Sequence, residues 1–141
     1  MNIAARTKQS VRRFTAMSAD PITVARRLLG QRVVRIMNGE RLAGTIVEAE
    51  AYLGAIDRAA HTWNGHRSPR NESMYLPGGH AYVYFTYGNH YCLNVVCGRT
   101  DEGVAVLIRA LEPTEGLDAM FIHRPKAKFE TDLCSGPGKL T

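Results

Sequence analysis

The chain has 141 residues, a formal net charge of +5, 45% hydrophobic and 22% charged residues. That length suits one domain with one core, and the composition excludes a disordered or collagen-like polymer. No run approaches the ~18–20 apolar residues of a membrane-spanning helix, and the opening stretch MNIAARTKQSVRRF lacks the continuous apolar segment of a secretory signal. Cys92, Cys97 and Cys134 form no disulfide framework, which fits a reducing compartment.

The positive charge is concentrated early. Residues 1–39 hold eight Lys and Arg against the single acid Asp20, so the remainder is slightly acidic. A basic face attracts a polyanion because binding releases condensed counterions; basic heads are as often no more than a solvated surface. Residues 1–17 show no periodicity and read as a flexible basic arm ahead of a domain over 18–141.

Asp20-Pro21 reads as an N-cap followed by proline at the first helical position. Ile22, Ala25, Leu28 and Leu29 recur at helical spacing and Gly30 terminates them, which predicts a helix over 20–29. Residues 31–36 alternate as a strand. Asn38-Gly39 is a strong hairpin signal, since a type I′ turn needs φ > 0 at both central positions. The return strand runs over 41–52, with Gly44 as a bulge. Residues 53–79 carry glycines and prolines and little periodicity. A loop of that length inside a compact domain is usually functional or disordered, and Asp57 is expected to cap a short turn through Ala60. Two β-rich runs, 80–87 and 90–97, join across Gly88-Asn89. Residues 104–111 form a further strand, Thr114 is expected to cap a helix over 115–123, and the tail CSGPGKLT is a Gly-Pro loop.

Strand period predicts that Ile46, Glu48, Glu50 and Tyr52 share one face. Two carboxylates beside an aromatic on one face are either a half-exposed strand edge or a cleft in which one acts as general base. Tyr75, Tyr82, Tyr84, Phe85, Tyr87 and Tyr91 lie within seventeen residues. Tyr82 and Tyr84 share one face and Val83 and Phe85 the other. Core packing accounts for Phe85 or Tyr91, but Tyr87 falls at the hairpin tip, where an aromatic beside basic groups is what a nucleic-acid wedge looks like. Cys92 and Cys97 lack the partner pair of a zinc finger, Ser135-Gly136-Pro137-Gly138-Lys139 is not a phosphate-binding P-loop, and His61 alone is more often a loop residue than a catalyst.

Taken together, Glu48-Ala-Glu50-Ala-Tyr52-Leu-Gly54, Asp57, Ala60-His61, Ser68-Pro69-Arg70-Asn71, Met74, Pro77-Gly78, Tyr82-Val83-Tyr84, Tyr87-Gly88, Asn94, Ile108-Arg109-Ala110-Leu111-Glu112-Pro113 and Cys134-Ser135-Gly136-Pro137 resemble the signature of the alkyladenine (3-methyladenine) DNA glycosylases, in order over about residues 20–141. Several dispersed motifs agreeing in order are far more specific than any one of them. With the elements above, the resemblance implies an α+β fold: one domain with a curved, mostly antiparallel sheet, short flanking helices and a protruding β-hairpin.

The resemblance also implies roles. Glu50 resembles the catalytic base that activates a water, and Arg109 the arginine that positions it. Tyr52, His61 and Tyr84 resemble the walls of a pocket for a flipped-out base. Asn94 resembles the asparagine that disfavours guanine, and Tyr87 the residue that fills the vacated stack. Arg70, Asn71 and Lys139 stand as candidates for contact with the DNA backbone. The implied protein is a monofunctional glycosylase of base excision repair. It needs no metal or organic cofactor, works as a monomer on duplex DNA containing alkylated purines, and resides in the bacterial cytoplasm or a eukaryotic nucleus, neither secreted nor on a membrane.

Two features depart from the family pattern. Asn89-His90 replace apolar or aromatic residues at the hairpin tip, and family members continue for about a further strand-rich third. The second departure leaves open a non-catalytic module that only recognises damaged DNA, for which binding without base release would speak. A third reading, an RNA-binding or formyltransferase-like β domain, would show preference for transfer RNA.

Overall fold

The computed structural model describes residues 17–86 and 88–141; nearly all of the expected basic arm and the tip residue Tyr87 lie outside them. Helix α1 (Pro21–Leu28) begins as its sequence directs: Asp20 Oδ1 accepts from the Thr23 amide at 3.0 Å, with proline at the first position. Val24 and Leu28, four apart, form its buried stripe.

Strands β1 (Arg32–Met37) and β2 (Glu40–Tyr52) pair antiparallel across Asn38-Gly39, whose φ of 52° and 83° are those of the expected type I′ turn. Strands β3 (Ala81–Thr86) and β4 (His90–Cys97) form the second hairpin, and β5 (Val104–Glu115) precedes helix α2 (Leu117–His123). Among the described residues all pairings are antiparallel and five strands lie in the order β1-β2-β5-β4-β3. This is the α+β fold expected of the sequence.

The last strand in sequence is therefore the central one. Its run VAVLI is buried on both faces, which explains why it is continuously apolar rather than alternating. Val104, Val106 and Ile108 pack with Ile46 and Cys97 against Val24 and Leu28 of α1. On the opposite face Ala105 meets Met74, Tyr82 and Val96. The helix covers one face and the long loop over 53–80 covers the other.

That loop is built from 3-10 turns at Gly54–Ile56, Trp63–Gly65 and Glu72–Tyr75. Without a ladder, its backbone groups are satisfied by side chains. Asp57 accepts from the amides of Leu53 (3.0 Å) and Ala59 (2.9 Å), capping the turn expected there. Thr62, 1% exposed, donates to Gly103 O at 2.7 Å, and the Tyr75 hydroxyl donates to His66 O at 2.8 Å. Gly103 has φ +66°, and a Cβ there would come within 2.8 Å of the Tyr75 ring.

Three local expectations are corrected. Thr114 does not cap a helix: it lies inside β5, whose pairing extends through Glu112, Pro113 and Glu115, and α2 starts after Gly116 at φ 78°. The extension survives Pro113 because the register slips between Ala43 and Gly44, the bulge expected at Gly44. Ile46 does not share a face with Glu48, Glu50 and Tyr52. Two further irregularities between Ile46 and Ala49 break the alternation, so that Ile46 and Ala49 both face α1. Phe85 and Tyr91 are not core residues. They are 46% and 50% exposed and pack on each other at 5.1 Å.

Candidate active site

The irregularity in β2 re-aims its C-terminal half, turning Glu50 and Tyr52 toward the loop-covered face. Opposite them, β5 contributes Arg109. Glu50 pairs in register with Leu107 and Tyr52 with Ala105, and Arg109 Nη1 donates to Glu50 Oε2 at 2.5 Å. Both side chains are about two-fifths exposed, at 41% and 40%, so the carboxylate is anchored on one side and open to solvent on another.

Tyr52 approaches the same carboxylate. Burial, then the negative charge of Glu50 and the hydrogen bond to it, push its phenol up to about 12. The phenol therefore keeps its proton at neutral pH and stands beside Glu50 as an available donor. A carboxylate held by a guanidinium, with a protonated phenol beside it and lone pairs left free, can orient and deprotonate a water.

Tyr52 also lines a cavity of about 220 Å³ together with Ala59, His61, Met74, Tyr82, Tyr84, Thr86 and Asn94. Its walls are ring faces and edges. His61 meets Tyr84 edge-on at 4.5 Å and Tyr82 at 5.9 Å, and the two tyrosines lie 5.4 Å apart. His61 Nδ1 and the Tyr82 hydroxyl share a hydrogen bond of 2.7 Å. Burial, reinforced by Arg70 and His66, lowers the His61 pKa below 6.5, so the imidazole is neutral at neutral pH. Burial raises the Tyr82 and Tyr84 phenols. The cavity thus presents neutral aromatic walls, the environment that a flat base or a delocalised cation favours. Asn94, 2% exposed, donates to Tyr82 O at 3.1 Å and lines the cavity.

The structure brings Glu50, Arg109, Tyr52, His61, Tyr84 and Asn94 together from β2, β3, β4, β5 and the loop. Tyr82, Met74, Ala59 and Thr86 line the same cavity without having been singled out for it. Tyr82 and Thr86 were findable, since they share strand parity with Tyr84; Met74 stood among the family motifs without a role, and nothing in the sequence marks Ala59. Arg70 is exposed beside His61 in an open groove bordered by Ser68, Val83, Phe85 and Tyr91. Asn71 borders the same groove but is buried, and both ends of its amide side chain are bonded to the loop backbone. Lys139 is half-buried, with Nζ donating to Asp132 O at 3.1 Å and Ser135 Oγ at 2.7 Å. Tyr87 lies outside the described residues.

The family model for methylpurine-DNA glycosylase matches residues 15–141. The chain belongs to the methylpurine-DNA glycosylase family. Among curated relatives named "Putative 3-methyladenine DNA glycosylase", one from Burkholderia lata is 59% identical over 99 residues, covering 70% of this chain and 47% of the relative. One from Clostridium botulinum is 48% identical over 128 residues, covering 86% of this chain and 63% of the relative. One from Bacillus cereus is 45% identical over 127 residues, covering 86% and 62%. The matched part of this glycosylase-family chain spans about half to just under two thirds of the length of these relatives. Among the described residues no helix is long and apolar enough to cross a membrane.

Proposed function

We propose that this chain is a monofunctional DNA glycosylase that flips alkylated purines (3-methyladenine, 7-methylguanine and related adenine lesions) out of duplex DNA and hydrolyses their N-glycosidic bond. The observation that carries this reading is Tyr52, which joins the Glu50–Arg109 pair to an aromatic cavity. A base inside a duplex is unreachable, so the nucleotide must be extruded at a cost of a few kcal/mol, least for a damaged base. Tyr52, His61 and Tyr84 then hold the base by stacking, which favours the cationic methylpurines, and Asn94 opposes the exocyclic amine of guanine. Tyr87 fills the vacated stack.

Glu50 accepts a proton from a water whose oxygen bonds to the sugar carbon. The bond from that carbon to the base nitrogen breaks, its electron pair leaving with the base. Arg109 fixes Glu50 and, with it, the water. Residues 18–141 form the working domain, and the basic residues before it, with Arg70 and Lys139, meet phosphates.

The test is release of 3-methyladenine from alkylated duplex by the chain and by Glu50→Gln. Binding of damaged duplex without release by the unaltered chain would favour the recognition-only reading instead.

A further inference from the structure

The His61 wall of the cavity belongs to a segment with no element longer than a 3-10 turn, yet its ring is held against Tyr82 and Tyr84. One buried side chain ties that segment together. Asn71 is 2% exposed; its Nδ2 donates to His61 O at 3.0 Å and to His66 O at 2.9 Å, while its Oδ1 accepts from the Ser68 amide at 2.7 Å. Both ends of the 61–66 turn and the start of the next segment thus meet at one amide group. We propose that Asn71 is a positioning residue that fixes the His61 wall and thereby the width of the cavity, setting which bases are admitted.

The inference rests on the glycosylase reading of the cavity. The chemistry requires an amide: alanine leaves both carbonyls without that donor, and aspartate would set a carboxylate against them. Thr62 and Tyr75 brace the same segment through Gly103 O and His66 O. Without Asn71 the segment therefore stays attached to the sheet while the His61 carbonyl comes loose.

The test uses the full chain with Asn71→Ala and Asn71→Ser, and Val24→Ala in the α1 core as a destabilised control. The first readout is the His61 imidazole titration by NMR, without DNA; the ring faces Tyr82, Tyr84, Arg70 and His66. The second is the ratio of 3-methyladenine to bulkier ethenoadenine released. In the Asn71 variants the His61 midpoint should rise toward 6.5. The ratio should fall by about tenfold, the scale on which a pocket discriminates one small apolar group. Val24→Ala should lower the unfolding temperature and move neither.

An unmoved His61 midpoint in a folded Asn71 variant, or an equal shift in Val24→Ala, would overturn the proposal. So would unfolding of both Asn71 variants, which would make the residue a stability element only. A shifted His61 in a chain that releases no base would sink the glycosylase reading and leave the clamp standing. Normal release with an unmoved His61 would do the reverse.

Discussion

The residues of the cavity differ in how they hold their protons, and the differences can be measured. Tyr52 ionises near 12 in the fold against an ordinary 10.0. The folded state therefore binds this proton more tightly, and the associated stability is complete below pH 10 and lost as pH rises toward 12. Burial also raises the Tyr75, Tyr82 and Tyr84 phenols, so in a spectrophotometric titration Tyr52→Phe should remove one phenol from a late-ionising group and leave the others. Loss of the hydroxyl beside Glu50 should slow single-turnover base release in Tyr52→Phe by about tenfold, or ~1.4 kcal/mol. His61 has the opposite sign: its folded pKa lies below 6.5, so its contribution is complete above 6.5 and fades as pH falls through the folded value. Between pH 7 and 5 the unfolding temperature of the unaltered chain should fall further than that of His61→Asn. A parallel fall in both would place that pH dependence elsewhere.

At the scale of elements, turn chemistry was legible and register was not. Asp20-Pro21 and Asn38-Gly39 fix conformations by their own geometry, and the helix start and hairpin turn lie where those residues put them. Thr114 misled because a cap signal is local, whereas the ladder that draws Pro113 and Glu115 into β5 is made with the distant Gly44 and Ala43. The same applies to Ile46: strand parity holds only until a bulge resets it, and the residues that set the bulge lie across the sheet. Gly44 is the point at which β2 admits β5, since a Cβ there would lie 2.9 Å from Glu112 O and 3.0 Å from Leu111 Cβ. Gly44→Ala should destabilise the fold by about 1–3 kcal/mol, read from the denaturation midpoint. An unchanged midpoint would mean that the strands part there at no cost.

For the whole molecule, the sheet is covered by a helix on one face and by an irregular loop on the other, and the site lies on the loop side. The helix itself was readable from its cap and apolar spacing, but only Leu28 of the spaced residues Ile22, Ala25, Leu28 and Leu29 is buried; Ile22 and Leu29 are exposed and Val24 takes their place against the sheet. The loop face was not readable, because Thr62, Asn71 and Tyr75 hold it through single side-chain bonds to backbone groups, a pattern with no period. The proposed site, in contrast, was legible as motifs, since Glu50, Tyr52, His61, Tyr84, Asn94 and Arg109 come from five separate segments that only the fold assembles. The excess of Lys and Arg before residue 40 predicts that duplex affinity falls steeply as salt rises from 50 to 200 mM; a flat response would remove phosphate contact from that region.

The central claim, that Glu50 activates the attacking water in a base-flipping cavity, is tested most directly by single-turnover release of 3-methyladenine from alkylated duplex, with duplex binding measured on the same samples. Glu50→Gln should retain binding and lose about 10²–10⁴ in rate, the usual contribution of a general base. Release at the unaltered rate by Glu50→Gln would contradict the account.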